Sequence, residues 1–192
     1  TGAVKDTPGH MQLAQGGNSG PYAVTFTPTA GGALSGQSVA IVNNFDNVSG
    51  QVLSVTGTAW NVAQGAATPD PIALGNFRVG VAGGPTQAVT VANTAVNNGF
   101  SERLGIQSAG VTGNFAVTNN LGAGLVNAGA NQANALNVAV AGGVAGANAG
   151  QLSIQYTSDG TGTSGLAAIA SNSQTIAVSA TGFNVAQASV LP

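Results

Sequence analysis

Cysteine is absent from the 192-residue chain, so no disulfide, thiolate nucleophile or cysteine-held metal contributes to it. Charge is nearly absent as well. Three Lys+Arg and five Asp+Glu make up 4 % of the residues and leave a net charge of −2, where ordinary soluble domains carry roughly 25 % charged residues. Lys5, Arg78 and Arg103 are too few cations to neutralise a phosphate backbone, which excludes nucleic acid as a partner. The longest apolar runs are broken by Gly, Asn, Thr or Ser every few residues. No segment therefore approaches the roughly 20 apolar residues of a membrane-spanning helix.

Catalytic machinery is missing from the pattern too. His10 is the single histidine, with Asp6 four residues before it, but a triad needs a nucleophile on one side and an orienting carboxylate on the other. Glycines around this pair predict a solvated or tag-derived histidine. The remaining acids do not form the facing pair that glycoside hydrolysis uses, and Glu102 and Arg103, neighbours on an expected strand, face opposite sides and read as surface residues. No catalytic residue, cofactor or enzyme activity is assigned.

What the chain does have is Gly 30 and Pro 7 set among many Val, Thr, Ile and Ala, a composition of short strands and tight turns. Low net charge with many β-branched residues argues for a folded chain rather than a disordered one. Freedom from cysteine with an Asn/Thr/Ser/Gln surface suits a bacterial protein that is secreted or held at the cell surface. The absence of a leader at Thr1 suggests a mature N-terminus or an excised piece.

The strongest signal is internal repetition. Asn61-Val62-Ala63-Gln64 recurs as Asn184-Val185-Ala186-Gln187, each after Thr-Gly and an aromatic, Trp60 or Phe183. The offset is 123 residues, from 61 to 184. Pro69 then falls opposite Pro192, where a further copy would begin. Leu136, Val138 and Val140 echo Tyr22, Val24 and Phe26 at an offset of 114, and Gly150-Gln151 echoes Gly36-Gln37 at the same 114. The difference places an insertion of about nine residues at the turn-rich Ser158–Gly165, where surface loops absorb length cheaply.

Alternation of period two predicts strands: Tyr22, Val24 and Phe26, then a turn over Pro28–Gly36, then Val39 and Ile41, then Val52, Val55, Ala59 and Trp60 with a break at Gly57. The second repeat adds strands at Ile72–Val79, Ala88–Val91, Leu104–Ile106, Phe115–Val117 and Leu136–Val140. Glycine density in Gly122–Ala149 favours loops and short strands over helix there. The expected fold is all-β, an immunoglobulin-like antiparallel β-sandwich in one complete and one partial copy. Expected domains are an arm at 1–20, a partial repeat at 21–69 and a complete repeat at 70–192. Half a sandwich leaves an apolar face and free strand edges. The arm, an earlier part of a longer chain, or a strand lent by a neighbour would complete it. The arm is the favoured donor, with Leu13, Tyr22, Val24 and Phe26 as assembly residues.

Leu74-Gly75-Asn76-Phe77-Arg78-Val79-Gly80, Val89-Thr90-Val91-Ala92-Asn93-Thr94, Gly99-Phe100-Ser101-Glu102-Arg103-Leu104, Ser158-Asp159-Gly160-Thr161-Gly162-Thr163-Ser164-Gly165-Leu166 and Asn184-Val185-Ala186 together resemble the repeats of bacterial choice-of-anchor D exported proteins. Those repeats are similar to Hydin-type (ASH) immunoglobulin-like modules. The likeness covers Asp70–Pro192 and, in part, Tyr22–Gln64; the truncated first repeat departs from it. It implies a large, repetitive, surface-exposed protein and supplies no catalytic residues.

Two ligand readings accompany this one. Asp159 in Asp159-Gly160-Thr161-Gly162-Thr163 is a weak Ca²⁺ candidate, because such sites use several hard oxygen ligands; an Asp-stabilised turn fits better. Trp60, Tyr22 and Tyr156 offer rings for a sugar platform, but core packing is the better use for large apolar rings. The expected partners are copies of the chain or neighbouring repeats, with a glycan or surface protein as the alternative, an adhesin or carbohydrate-binding spacer.

Overall fold

The computed structural model describes residues 24–42 and 49–190. All ten elements found there are strands, in three sheets, and no helix occurs among the described residues. The chain divides into two compact units, Thr1–Trp60 and Asn61–Pro192.

The second unit holds eight strands: β3 (Gly65–Thr68), β4 (Ile72–Arg78), β5 (Thr86–Asn93), β6 (Arg103–Val111), β7 (Phe115–Asn119), β8 (Asn131–Val140), β9 (Gly146–Asp159) and β10 (Ile169–Phe183). One sheet runs β3-β5-β8-β7 and the other β4-β10-β9-β6. Every pairing is antiparallel except that of β4 with β10. Buried residues recur at every second position, such as Leu152, Ile154 and Tyr156 on β9 and Ile176, Val178 and Ala180 on β10. They join Val89, Val91, Leu136 and Val138 of the other sheet in a single apolar core, which makes the unit an antiparallel β-sandwich. Period-two alternation points one face of each strand inward, and each buried Leu, Ile or Val contributes about 1.5–3 kcal/mol.

Two bulges keep that alternation in phase. On β4 the pairing with β10 slips between Ala73 and Asn76. Gly75 supplies the positive φ of 81° there, so Ile72, Leu74 and Phe77 all turn inward. Ser171 and Asn172 on β10 together face the single residue Tyr156 of β9, and the side-chain amide of Gln155 donates to the carbonyls of Ser171 and Asn172 at 3.0 and 3.2 Å. An extra residue unpairs the ladder locally and re-aims the side chains that follow. Here Asn172 and Gln174 are aimed across the open side of the sandwich toward β3.

There they perform a strand's task with side chains. Asn172 accepts from the Gly65 N–H at 2.8 Å and donates to the Gly65 carbonyl at 2.7 Å. Gln174 treats Ala67 alike, at 2.7 and 3.1 Å. The Ser171 hydroxyl donates to the Ala63 carbonyl. The alternate groups of β3 pair with β5, so both edges of this short strand are satisfied, as buried backbone requires. β3 and the Asn61–Gln64 lead-in thus belong to the second unit, ahead of the Pro69/Asp70 boundary read from the sequence.

Among the described residues the first unit contains one hairpin, β1 (Gly32–Ile41) with β2 (Gln51–Ala59). Its register repeats that of β9 with β10. Gly32 faces Ala59 as Gly146 faces Gly182, and Ile41 faces Gln51 as Ile154 faces Gln174. The offset on β2 is 123 throughout, while on β1 it is 114 up to Leu34 and 113 from Gln37. Ser35 and Gly36, a bulge with φ of 70° at the glycine, account for the change.

Several expectations need correction. Val24–Pro28 carries no strand, although Val24 and Phe26 alternate. The equivalent strand β8 exists because β5 and β7 flank it, and no such partners occur in the first unit among the described residues. The turn expected over Pro28–Gly36 ends earlier, at Gly32, and β2 continues through Gly57 without a break.

Candidate functional site

The densest polar cluster sits where β6 begins and β9 ends. Glu102 is 4 % exposed, which overturns its reading as a surface residue. A lone carboxylate is buried only with hydrogen-bond partners, and here Ser158 donates to Oε2 at 2.6 Å and Ser164 to Oε1 at 2.5 Å. Ser158 also accepts from the Ala63 N–H at 2.8 Å. The Glu102 N–H donates to the Asn61 carbonyl at 3.0 Å, and the Asn93 amide donates to the Glu102 carbonyl at 3.1 Å. Glu102 therefore ties the lead-in of β3, the end of β5 and the β9–β10 loop to one point.

Arg103, next in sequence, turns to the other side of that loop and donates to the Thr161 carbonyl. Asp159 accepts from the Thr161 N–H at 2.7 Å. Hydrogen bonds from Thr161, side chain and backbone, hold the Asp159 carboxyl below its ordinary value, with nearby Arg103 adding to the effect. The carboxylate closes a turn, and no group of three or more His, Asp or Glu able to hold a metal occurs among the described residues. Beside it, Asn97, Ser101, Arg103, Asn127 and Thr163 line a small cleft whose walls hold no His, Asp, Glu or Lys to serve as a base.

Tyr156 is fully buried in the core, its hydroxyl donating to Gln174 at 3.3 Å, and burial pushes its pKa up to about 12. It is unavailable to a sugar. Phe183 is 52 % exposed, contrary to the core role expected from its match with Trp60. It borders a shallow depression with Arg78, Val81 and Pro85. Tyr22, Leu13, His10 and the 1–20 arm lie outside the described residues. Val24 and Phe26, the other two assembly residues, are described but stand in no sheet.

The feature with most potential for recognition is the β1–β2 hairpin. Cross-strand pairing puts Val39 with Leu53 and Gln37 with Val55, so Val39, Ile41, Leu53 and Val55 share one face. Ile41 and Leu53 are 49 % and 52 % exposed, whereas their counterparts Ile154 and Ile176 are 1 % and 0 % exposed. The same chemistry occupies the same register, but only one copy is covered by a second sheet among the described residues. Repetition in the sequence located this hairpin; the amides that clamp β3 went unnoticed there, although Asn172 and Gln174 lie in phase with Ile176 and Val178.

Comparison with protein-family models, with curated proteins and with solved structures gave no match for the chain.

Proposed function

We propose that this chain is a non-enzymatic structural module of a bacterial extracellular or cell-surface assembly, and that it self-associates into a filament by β-strand donation. The observation that carries this reading is the β1–β2 hairpin, which keeps the pairing register of β9–β10 and presents its apolar face without an opposing sheet among the described residues. An isolated two-stranded hairpin is marginal in water, and an uncovered apolar face with free edges recruits another strand or sheet. The immunoglobulin-like assignment is supported by strand order. Lettered along the chain, the sandwich has A-B-E-D in one sheet and G-F-C in the other, the arrangement of constant-type domains, with β4 added beside G. Resemblance to choice-of-anchor D repeats points to the same surface setting.

The experiment is light scattering on a sizing column over a range of concentrations, with electron microscopy of the concentrated fractions. Growth of mass with concentration, ending in fibres, is expected. A monomer at every concentration that instead binds on a glycan array would refute self-assembly in favour of an adhesin or carbohydrate-binding spacer.

A further inference from the structure

The tail after β10 carries the sequence of a strand. Asn184–Val190 lies outside every sheet and is exposed along its whole length, with Val190 94 % exposed. At the 123-residue offset it corresponds to Asn61–Ala67, the segment that forms the lead-in and body of β3. In the sandwich that segment is an edge strand held by two things: the backbone of β5 and the amides of Asn172 and Gln174 on β10. The tail has the strand and no clamp.

The hairpin has one half of that clamp and no strand, because Ser49 stands where Asn172 does and Gln51 remains. Gln51 on β2 stands where Gln174 stands on β10, each facing an isoleucine, Ile41 or Ile154. Gln51 is exposed, and its amide is of the kind that receives the N–H and carbonyl of Ala67 through Gln174. The tail residue in the Ala67 position is Val190, whose larger side chain suits a face where Ile41 and Leu53 are uncovered.

The β3 slot of the complete sandwich is closed to the tail. A Cβ added at Gly65 would lie 2.4 Å from the ring of Tyr156, and the tail carries Ala188 at that position. Rigid backbone packed on a buried ring cannot absorb such an overlap without strain, so exchange of tail for β3 is selected against. On these grounds we propose that the tail Asn184–Val190 is the donated strand and that the β1–β2 hairpin of a second copy, with Gln51 as its clamp, is the acceptor. The contact is head to tail, so repeating it links subunit to subunit, in an open chain unless its rotation closes a ring. The proposal rests on the self-association reading and names its donor and acceptor, replacing the 1–20 arm in the donor role.

The cysteine-free chain makes the test direct. Full-length Val42→Cys and Ser189→Cys variants are mixed and treated with a short bismaleimide. A cross-linked dimer that forms in the mixture, and far less in either variant alone, is expected. Two further variants, full-length Gln51→Ala and a truncation ending at Phe183, are compared with the wild type on the sizing column. Self-association should weaken about tenfold in Gln51→Ala, the effect of leaving one amide pair unmade, and more in the truncation. A dimer obtained with Ser173→Cys in place of Val42→Cys would put the tail in the β3 slot and overturn the assignment. Assembly unchanged by the truncation sinks the donor while leaving self-association standing, and a wild-type chain that never associates sinks both.

Discussion

Replacing Gln174 by methionine keeps the volume of the side chain and removes its amide. The Ala67 N–H and carbonyl then lose partners at 2.7 and 3.1 Å, the Tyr156 hydroxyl loses its acceptor at 3.3 Å, and Asp70 loses a contact at 3.3 Å from the outside. Ala67 is 2 % exposed and Tyr156 0 %, so water does not simply take over. Each orphaned buried group costs about 1–3 kcal/mol, while a methionine at this half-buried position returns part of that. A net loss of about 2 kcal/mol is expected, which for a domain of this size lowers Tm by roughly 6 °C. Urea denaturation followed by tryptophan-independent circular dichroism gives the free energy, and the slope m should not change. Amide hydrogen exchange supplies the sharper reading. Ala67 should lose protection while Ala66, one residue away and paired with Ala92 of β5, keeps its own. Equal loss at both positions, or a stability change below about 0.5 kcal/mol, would refute the idea that amides act as the missing strand.

Tyr156 makes stability depend on alkaline pH. Its pKa is raised from 10 to about 12 in the fold by burial, so above pH 10 the unfolded chain loses this proton and the folded one keeps it. The stabilising term is fully present below pH 10 and falls by about 1.4 kcal/mol per pH unit between 10 and 12. Thermal melts of wild type and Tyr156→Phe should diverge in slope only in that window, and parallel curves would contradict it. Matched substitutions separate the two repeats. Ile154→Ala should cost about 2–5 kcal/mol of unfolding free energy, while Ile41→Ala should leave unfolding of the second unit unchanged and weaken self-association on a sizing column.

Much of the architecture was legible from periodicity, because a strand with one buried face writes its alternation into the sequence. Val89–Val91 and Leu136–Val140 show it, and β9 and β10 carry the same alternation although the sequence reading names no strand there. Alternation failed at Val24 and Phe26, since a strand also needs neighbours to take its backbone hydrogen bonds, and neighbours are a property of topology rather than of the segment. Counting residues matched Gly36-Gln37 to Gly150-Gln151, while pairing shows a bulge at Ser35-Gly36 that shifts the match by one. Glu102 was misplaced because an isolated acid is exposed by default; the serines that bury it lie 56 and 62 residues further on. Asn172 and Gln174 could have been found from their phase, as two amides on the face that Ile176 and Val178 turn to the core.

The pairing of β4 with β10 bears on how the second unit would respond to tension. These two strands run in the same direction and are matched from Ile72–Val178 to Arg78–Phe183, with a further bond from the Val79 N–H to the Phe183 carbonyl at 2.9 Å. Pulling on the segment that enters β4 and the segment that leaves β10 drives the strands past each other along their length. The ladder is then loaded in shear, its bonds sharing the force at once rather than opening one after another like a zip.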